Sequence, residues 1–211
     1  MGDYIYKTGW AIGALFCLSI VACAGVVTSA PTHFFMFNPV NPTMAGQPGS
    51  TGRTTVRVNL EPVEIPRYLN RPQIVTLENG VEYHLDEFNQ WLEPLGDNVT
   101  RVVAENLSEI LDTDGIDIFT MIPSLQTDYR IAVQILRLDG KRGRNVVLAA
   151  KWALFEQTEN VPVITKRFVT QETVNDDNYQ SFVKAQNRTI ESLSREIADA
   201  IRLMVLQSAG S

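Results

Sequence analysis

Apolar residues along much of the chain recur with a period of two, or in short runs bounded by turn residues. Both patterns are typical of β-strands that bury one or both faces. They predict strands over residues 33–37, 54–65, 74–77, 81–85, 116–122, 129–138, 145–157 and 163–172. Asn79-Gly80 is a strong signal for a tight hairpin turn between the third and fourth of these segments. The run from Asp139 to Gly143 predicts a second turn.

Two further segments carry apolar residues at the spacing of an amphipathic helix. The first begins at Gly96-Asp97, ends at Gly115, and places these residues on one face: Val99, Val103, Leu107 and Ile110. The second covers about 178–206, with a longer apolar stripe: Phe182, Ile190, Leu193, Ile197, Ile201 and Met204. Strands and two helices in this order predict a single α+β domain, with an antiparallel or mixed sheet and both main helices packed on one face.

The beginning of the chain differs in character from the rest. The thirteen residues from Trp10 to Ala22 carry no charge, which fits the apolar core of a signal peptide and is short for a bilayer span. The run ends in Ile20-Val21-Ala22-Cys23, which resembles the lipobox cut by signal peptidase II. We therefore predict a lipoprotein signal peptide over 1–22 and acylation of Cys23. Because the uncharged stretch continues to Val27, an uncleaved membrane anchor is the alternative interpretation.

These boundaries predict the organisation of the remaining chain. Residues 23–53 are expected to hold the lipidated tether, the first strand and a Pro/Gly-rich loop, and residues 54–208 the α+β domain. In enteric bacteria an Asp after the acylated Cys retains a lipoprotein in the inner membrane. Ala24 therefore favours the periplasmic face of the outer membrane, with the inner membrane as the alternative.

Composition narrows the functional classes. The net charge of −6 and the pI near 5.0 disfavour nucleic acid as a partner, since phosphate backbones require clustered Lys and Arg. Both cysteines precede residue 24, so the domain has no thiol for a disulfide, a zinc site or a nucleophile. His33 and His84 are the only histidines, and no HExxH, GxSxG or P-loop motif is present. We expect no enzymatic activity, no metal and no cofactor.

One dense basic run stands out, Lys141-Arg142-Gly143-Arg144. A solvated hairpin tip is the first interpretation of such a run. Contact with anionic lipid headgroups or with an acidic partner is the alternative, because cations near an anionic membrane surface are attracted to it.

Three motifs in residues 63–111 resemble the PqiC/YmbA-type auxiliary lipoproteins of bacterial ABC and MCE lipid-transport systems. They are Pro66-x-Tyr68-Leu69, Arg71-Pro72-Gln73-Ile74-Val75 and Trp91-x-Glu93-Pro94-Leu95. The aromatic strand at 33–37, the strand pair from 129 to 152 and the terminal helix extend the similarity over nearly the whole mature chain. The Pro/Gly-rich insertion at 39–53 departs from the family pattern.

The resemblance implies a membrane-anchored, non-enzymatic component of a paraquat-inducible-like system that moves lipids between two membranes. Its implied partners are an MCE-domain tunnel protein, for which it is a docking platform, and an inner-membrane permease. It also implies that copies of the chain can form a homo-oligomeric ring. Two other functions stay open: a structural outer-membrane lipoprotein without a transport role, and a lipid-anchored periplasmic hydrolase.

The family-like motifs supply the candidate partner-binding residues Tyr68, Arg71, Trp91 and Glu93. Tyr, Arg and Trp are the residue types most enriched at interface hot spots. Packing is the alternative interpretation, since a Trp and a Pro before a helix commonly fix its first turn. Arg71 is a candidate ion-pair partner of Glu93.

Overall fold

The structure, a computed structural model, describes residues 30–40, 56–120, 125–157 and 161–209. Cys23 and the predicted signal peptide lie outside these ranges. The described residues form the following elements: β1 His33–Phe35, β2 Val56–Leu60, β3 Gln73–Glu78, β4 Glu82–Trp91, α1 Leu95–Leu111, β5 Ile116–Thr120, β6 Tyr129–Lys141, β7 Asn145–Glu156, β8 Pro162–Thr173 and α2 Tyr179–Ala209.

The strands divide between two sheets. A three-stranded sheet has the order β1-β4-β3, and a five-stranded sheet has the order β5-β2-β6-β7-β8. Each sheet is mixed, since β1 runs parallel to β4 and β2 runs parallel to β5 and β6, whereas the other neighbours are antiparallel. The predicted α+β class with a mixed sheet is confirmed. The division into two sheets was not visible in the pattern.

The two helices contact each other and pack on one side of the five-stranded sheet, α1 on β5 and α2 on β7 and β8. Their predicted apolar faces are buried: Val99, Val103, Leu107, Leu193, Ile197 and Ile201 have no solvent exposure. Burial of such a stripe, more than intrinsic propensity, stabilises helices in proteins. The predicted packing of both helices is confirmed.

One of the two predicted turns lies where the sequence placed it, and the other does not. Asn79 and Gly80 adopt left-handed φ values of 48° and 81°, and the backbone N–H of Val81 donates to the carbonyl oxygen of Glu78 across them at 3.3 Å. The predicted tight turn is confirmed, with three residues between the paired strands. The second turn was predicted to begin three residues too early, because β6 continues through Asp139 to Lys141 and only residues 142–144 form the turn. Gly140 is needed inside the strand, since a Cβ there would collide with the carbonyl oxygen of Asn145 on β7.

Asparagine side chains hold the segment that follows β1 against the helices. Oδ1 of Asn98 accepts a hydrogen bond from the backbone N–H of Phe37 at 2.7 Å, and Oδ1 of Asn106 accepts one from Val40 at 3.0 Å. A third, Asn187, makes the same bond to the residue after Phe37 at 3.0 Å. Because this segment pairs with no strand among the described residues, the asparagines supply acceptors that its backbone needs.

Candidate partner-binding site

Two of the family-like motifs meet at the surface. The backbone N–H of Trp91 at the end of β4 donates to the carbonyl oxygen of Pro72 at 2.7 Å, which brings the 70–72 loop beside the 91–94 segment. Between them lies a shallow depression of about 310 Å³, lined by Asn70, Arg71, Pro72, Trp91, Leu92, Glu93 and Pro94. Three of the four predicted partner-binding residues therefore line one depression.

The neighbours Trp91 and Leu92 point in opposite directions. Trp91 is 6% exposed and its ring packs on Phe37, with the ring centroids 4.8 Å apart. Leu92 is 61% exposed. Because β4 ends at Trp91 and the chain bends at Leu92, the tryptophan forms the floor while the leucine is presented to solvent. The sequence drew attention to the tryptophan, and no local pattern distinguishes Leu92 from a buried leucine.

Glu93 pairs with α1 and not with the 70–72 loop. Its Oε1 accepts hydrogen bonds from Nδ2 of Asn98 at 2.7 Å and from Nη2 of Arg101 at 3.1 Å. Burial lowers the pKa of Arg101, but the hydrogen bonds to Glu93 and Glu105 outweigh it and raise the pKa above its ordinary value. The expected ion pair between Arg71 and Glu93 was wrong, because the helix that follows Glu93 supplies a closer cation.

Arg71 is left with an unsatisfied donor. Within the described part of the chain, its Nε is buried and has no hydrogen-bond partner. A buried donor without an acceptor costs about 1–3 kcal/mol. Arg71 also lines the depression, so a shift of its side chain would be needed for this Nε to reach an acceptor on a bound partner.

Tyr68 does not line the depression; it supports the loop that carries Arg71. Its hydroxyl donates to Oδ2 of Asp139 at 2.7 Å, and the hydroxyl of Tyr83 donates to the same oxygen at 3.2 Å. Nε of Arg137 donates to the other oxygen at 2.6 Å. Asp139 has no solvent exposure. Burial, followed by the hydrogen bond and charge of Asp139, raises the pKa of Tyr68 far above its ordinary value.

Neither a metal centre nor a membrane span appears within the described ranges. No group of three or more His, Cys, Asp or Glu side chains there is arranged to hold a metal ion. No helix among the described residues is long and apolar enough to cross a bilayer.

The family model described as the ABC-type transport auxiliary lipoprotein component matches residues 40–198. This range includes every strand from β2 onward, α1, the first part of α2 and the depression. The chain therefore belongs to this family of transport-associated lipoproteins. The resemblance drawn from the motifs at Tyr68, Arg71 and Trp91 is thereby confirmed at the level of the family. The family is not known for an enzymatic activity, and its lipoprotein character indicates a location in the cell envelope.

Two solved structures share the fold. A crystal structure of an uncharacterized protein is 21% identical, with 82% of this chain and 99% of that chain covered and a TM-score of 0.67. A protein from Xanthomonas campestris is 14% identical, with 85% of this chain and all of that chain covered and a TM-score of 0.67. At these identities the similarity shows the fold alone. A search of curated protein sequences finds no match.

Proposed function

We propose that the chain is the anchored auxiliary lipoprotein of an ABC/MCE-type system that moves lipids between the two bacterial membranes. It serves as a docking platform for the periplasmic end of the MCE tunnel protein, with the inner-membrane permease as the other partner. Acylated Cys23 attaches it to the periplasmic face of the outer membrane. Family membership and the motif resemblance support this proposal.

The docking surface in this proposal is the depression between residues 70–72 and 91–94. The observation that carries it is the exposed Leu92 beside the unsatisfied Nε of Arg71, over a floor formed by buried Trp91. An arginine beside a tryptophan matches the residue types enriched at interface hot spots, and the exposed leucine adds apolar surface that a partner can bury. Tyr68 and Glu93 hold the two rims in place through their bonds to Asp139 and Arg101.

The size of the depression favours a protein partner. Its volume of about 310 Å³ lies at the lower end of the range for enclosed small-molecule sites, and it is open to solvent. A protruding side chain of a partner fits such a shape. A shift of the Arg71 side chain on binding would let a carbonyl or carboxylate oxygen of that partner accept a hydrogen bond from its Nε.

The test is capture of the MCE tunnel protein by variants of the full chain. Leu92→Asp and Arg71→Ala should each weaken capture by roughly thirtyfold, equivalent to about 2 kcal/mol. The matched control is Leu203→Asp, because Leu203 on α2 is also 61% exposed and lies outside the depression. If Leu92→Asp keeps the parent's melting temperature and captures the tunnel protein as well as the control does, the docking surface lies elsewhere.

The anchor has its own test. Cys23→Ser should leave an uncleaved, unacylated precursor, whereas Cys17→Ser should be processed like the parent, because Phe16 before Cys17 does not fit a lipobox. Intact-mass measurement of the membrane-extracted protein separates the two outcomes. A parent chain found at full length without acyl groups would contradict the lipoprotein anchor at Cys23.

A further inference from the structure

The helices cover only one face of the five-stranded sheet. Trp152 marks the covered face, since it is 1% exposed, and its cross-strand neighbour Lys166 pairs with Glu196 of α2 at 3.0 Å. Side chains alternate along a strand. Lys151 on β7 and Arg167 on β8 therefore point away from the helices, and both are exposed.

Lys151 and Arg167 lie directly opposite each other in the register of β7 and β8. Like charges in this position destabilise a sheet. Among the described residues, neither has an acidic side chain within ion-pair distance. The neighbour of Lys151 on β6 is Gln134, which donates to Oε2 of Glu64 at 3.0 Å. The two cations thus repel each other without a compensating partner from the described chain.

The adjacent row of side chains on the same face of the sheet includes a small residue and an exposed apolar residue. It contains Arg137, Ala149 and Val169 in register. Ala149 is 9% exposed and Val169 is 57% exposed, while Arg137 is bound to Asp139. The small alanine leaves room beside an exposed valine. We call Lys151, Arg167 and Val169 the basic sheet face.

The basic run at the β6–β7 turn is better compensated. Lys141 pairs with Glu78 at 2.9 Å, and Arg142 pairs with Asp177 at 3.5 Å. Arg144 is the one cation of that run for which the described residues provide no acid within ion-pair distance. The uncompensated like-charge pair therefore lies on the sheet and not in the conspicuous run.

We propose that the basic sheet face binds the phosphate groups of anionic phospholipids at the surface of the membrane that carries the lipoprotein. A chain of net charge −6 is repelled by such a surface unless it presents a local group of cations. Each Lys or Arg near an anionic membrane strengthens association by about fivefold. An exposed valine beside the cations suits the boundary between headgroups and acyl chains. Phosphate groups would separate the two repelling charges on the sheet and neutralise both.

The test compares two lysines of the full chain reconstituted in vesicles. A water-soluble amine-reactive reagent labels accessible lysines, and mass spectrometry reads each position. Lys184 on α2 is exposed and serves as the internal control. Labelling in phosphatidylcholine vesicles gives the reference level for each lysine. Adding phosphatidylglycerol should lower labelling of Lys151 by about threefold or more while Lys184 is unchanged, and Arg167→Gln should abolish that protection.

The remaining outcomes overturn the proposal. Equal labelling of Lys151 in both vesicle types would show that Lys151 does not contact the anionic lipid. An equal fall in labelling at Lys184 would show that the charged surface affects the reagent in general. Protection of Lys151 by inorganic phosphate in neutral vesicles, without protection by phosphatidylglycerol, would assign the face to a soluble anion. Protection by polyglutamate alone would assign it to an acidic protein. Melting of the Arg167→Gln variant verifies that it is folded.

Discussion

The two faces of β7 differ in solvent exposure and in the type of side chain they present. Toward the helices the strand presents Leu148, Ala150, Trp152 and Leu154, each exposed by 1% or less. Toward the other side it presents small, charged or half-buried residues, among them Ala149, Lys151 and Phe155. The residues of the covered face stabilise the fold by packing against the helices. The residues of the open face do not pack there and are available for binding.

The open face is covered at one corner. The β3–β4 hairpin contacts β6 there. Tyr83 of β4 and Tyr68 of the loop before β3 both donate to the buried carboxylate of Asp139. A buried carboxylate is tolerated only when it is paired and hydrogen-bonded, and here Arg137 completes its partners. The two sheets are thus joined in part by a polar cluster, whereas sheet and helices are joined by apolar packing.

The largest difference between covered and exposed positions should appear on α2. Leu193 has no exposure, and Leu203 on the same helix is 61% exposed. Leu193→Asp places an unpaired charge in the core and should destabilise the protein by about 4 kcal/mol or more. Leu203→Asp should change stability by no more than about 0.5 kcal/mol. Thermal and denaturant unfolding of both variants measures the contrast, and equal melting temperatures would mean that α2 does not pack on the sheet as described.

The polar corner should give an intermediate effect. Tyr68→Phe removes a hydrogen bond to a buried carboxylate, a loss of about 1.5–3 kcal/mol. Tyr83→Phe removes the longer of the two bonds, from a tyrosine that is 47% exposed, and should cost less. Comparing the unfolding free energies tests the order. If the two substitutions cost the same, or if Tyr68→Phe costs nothing, Asp139 does not join the sheets in the way described.

The smallest expected change in stability is on the open face, and there the substitution should stabilise the protein. Lys151→Glu replaces a repelling pair with an attractive one and should stabilise the protein by about 0.2–1 kcal/mol. Lys151→Gln, which only removes the repulsion, should give a smaller gain. Denaturant unfolding at low salt measures both, because salt screens exposed charges. A loss of stability in Lys151→Glu would show that Lys151 already has a favourable partner.

Local patterns predicted the elements well for a specific reason. A strand or helix with one buried face repeats its apolar residues with the period of that element. The spacing of Leu193, Ile197 and Ile201 therefore predicts α2 without any information about the segments that pack on it. A tight turn between antiparallel strands requires residues that tolerate positive φ, which Asn79-Gly80 supplies. The family-like motifs are also contiguous, so the resemblance is visible before any contact is known.

The pattern failed where the environment of a residue depends on distant parts of the chain. Asp139 followed by glycine has the composition of a turn, yet it lies within β6 because Tyr68, Tyr83 and Arg137 satisfy its carboxylate. Asn98 and Asn106 looked like unremarkable polar positions on a helix. They are buried because each binds the backbone of the segment after β1, more than sixty residues earlier in the chain.

The sequence by itself determined the α+β class, the order of the elements and the family to which the chain belongs. Only the tertiary structure decided that Trp91 lies beneath the depression while Leu92 is exposed, and that Glu93 binds Arg101 and leaves Arg71 with a free donor. The uncompensated pair of Lys151 and Arg167 likewise became visible only in the strand register. The physical reason is range: periodicity and turn chemistry act between near neighbours, whereas ion pairs, burial and cross-strand contacts depend on which distant segments the fold brings together.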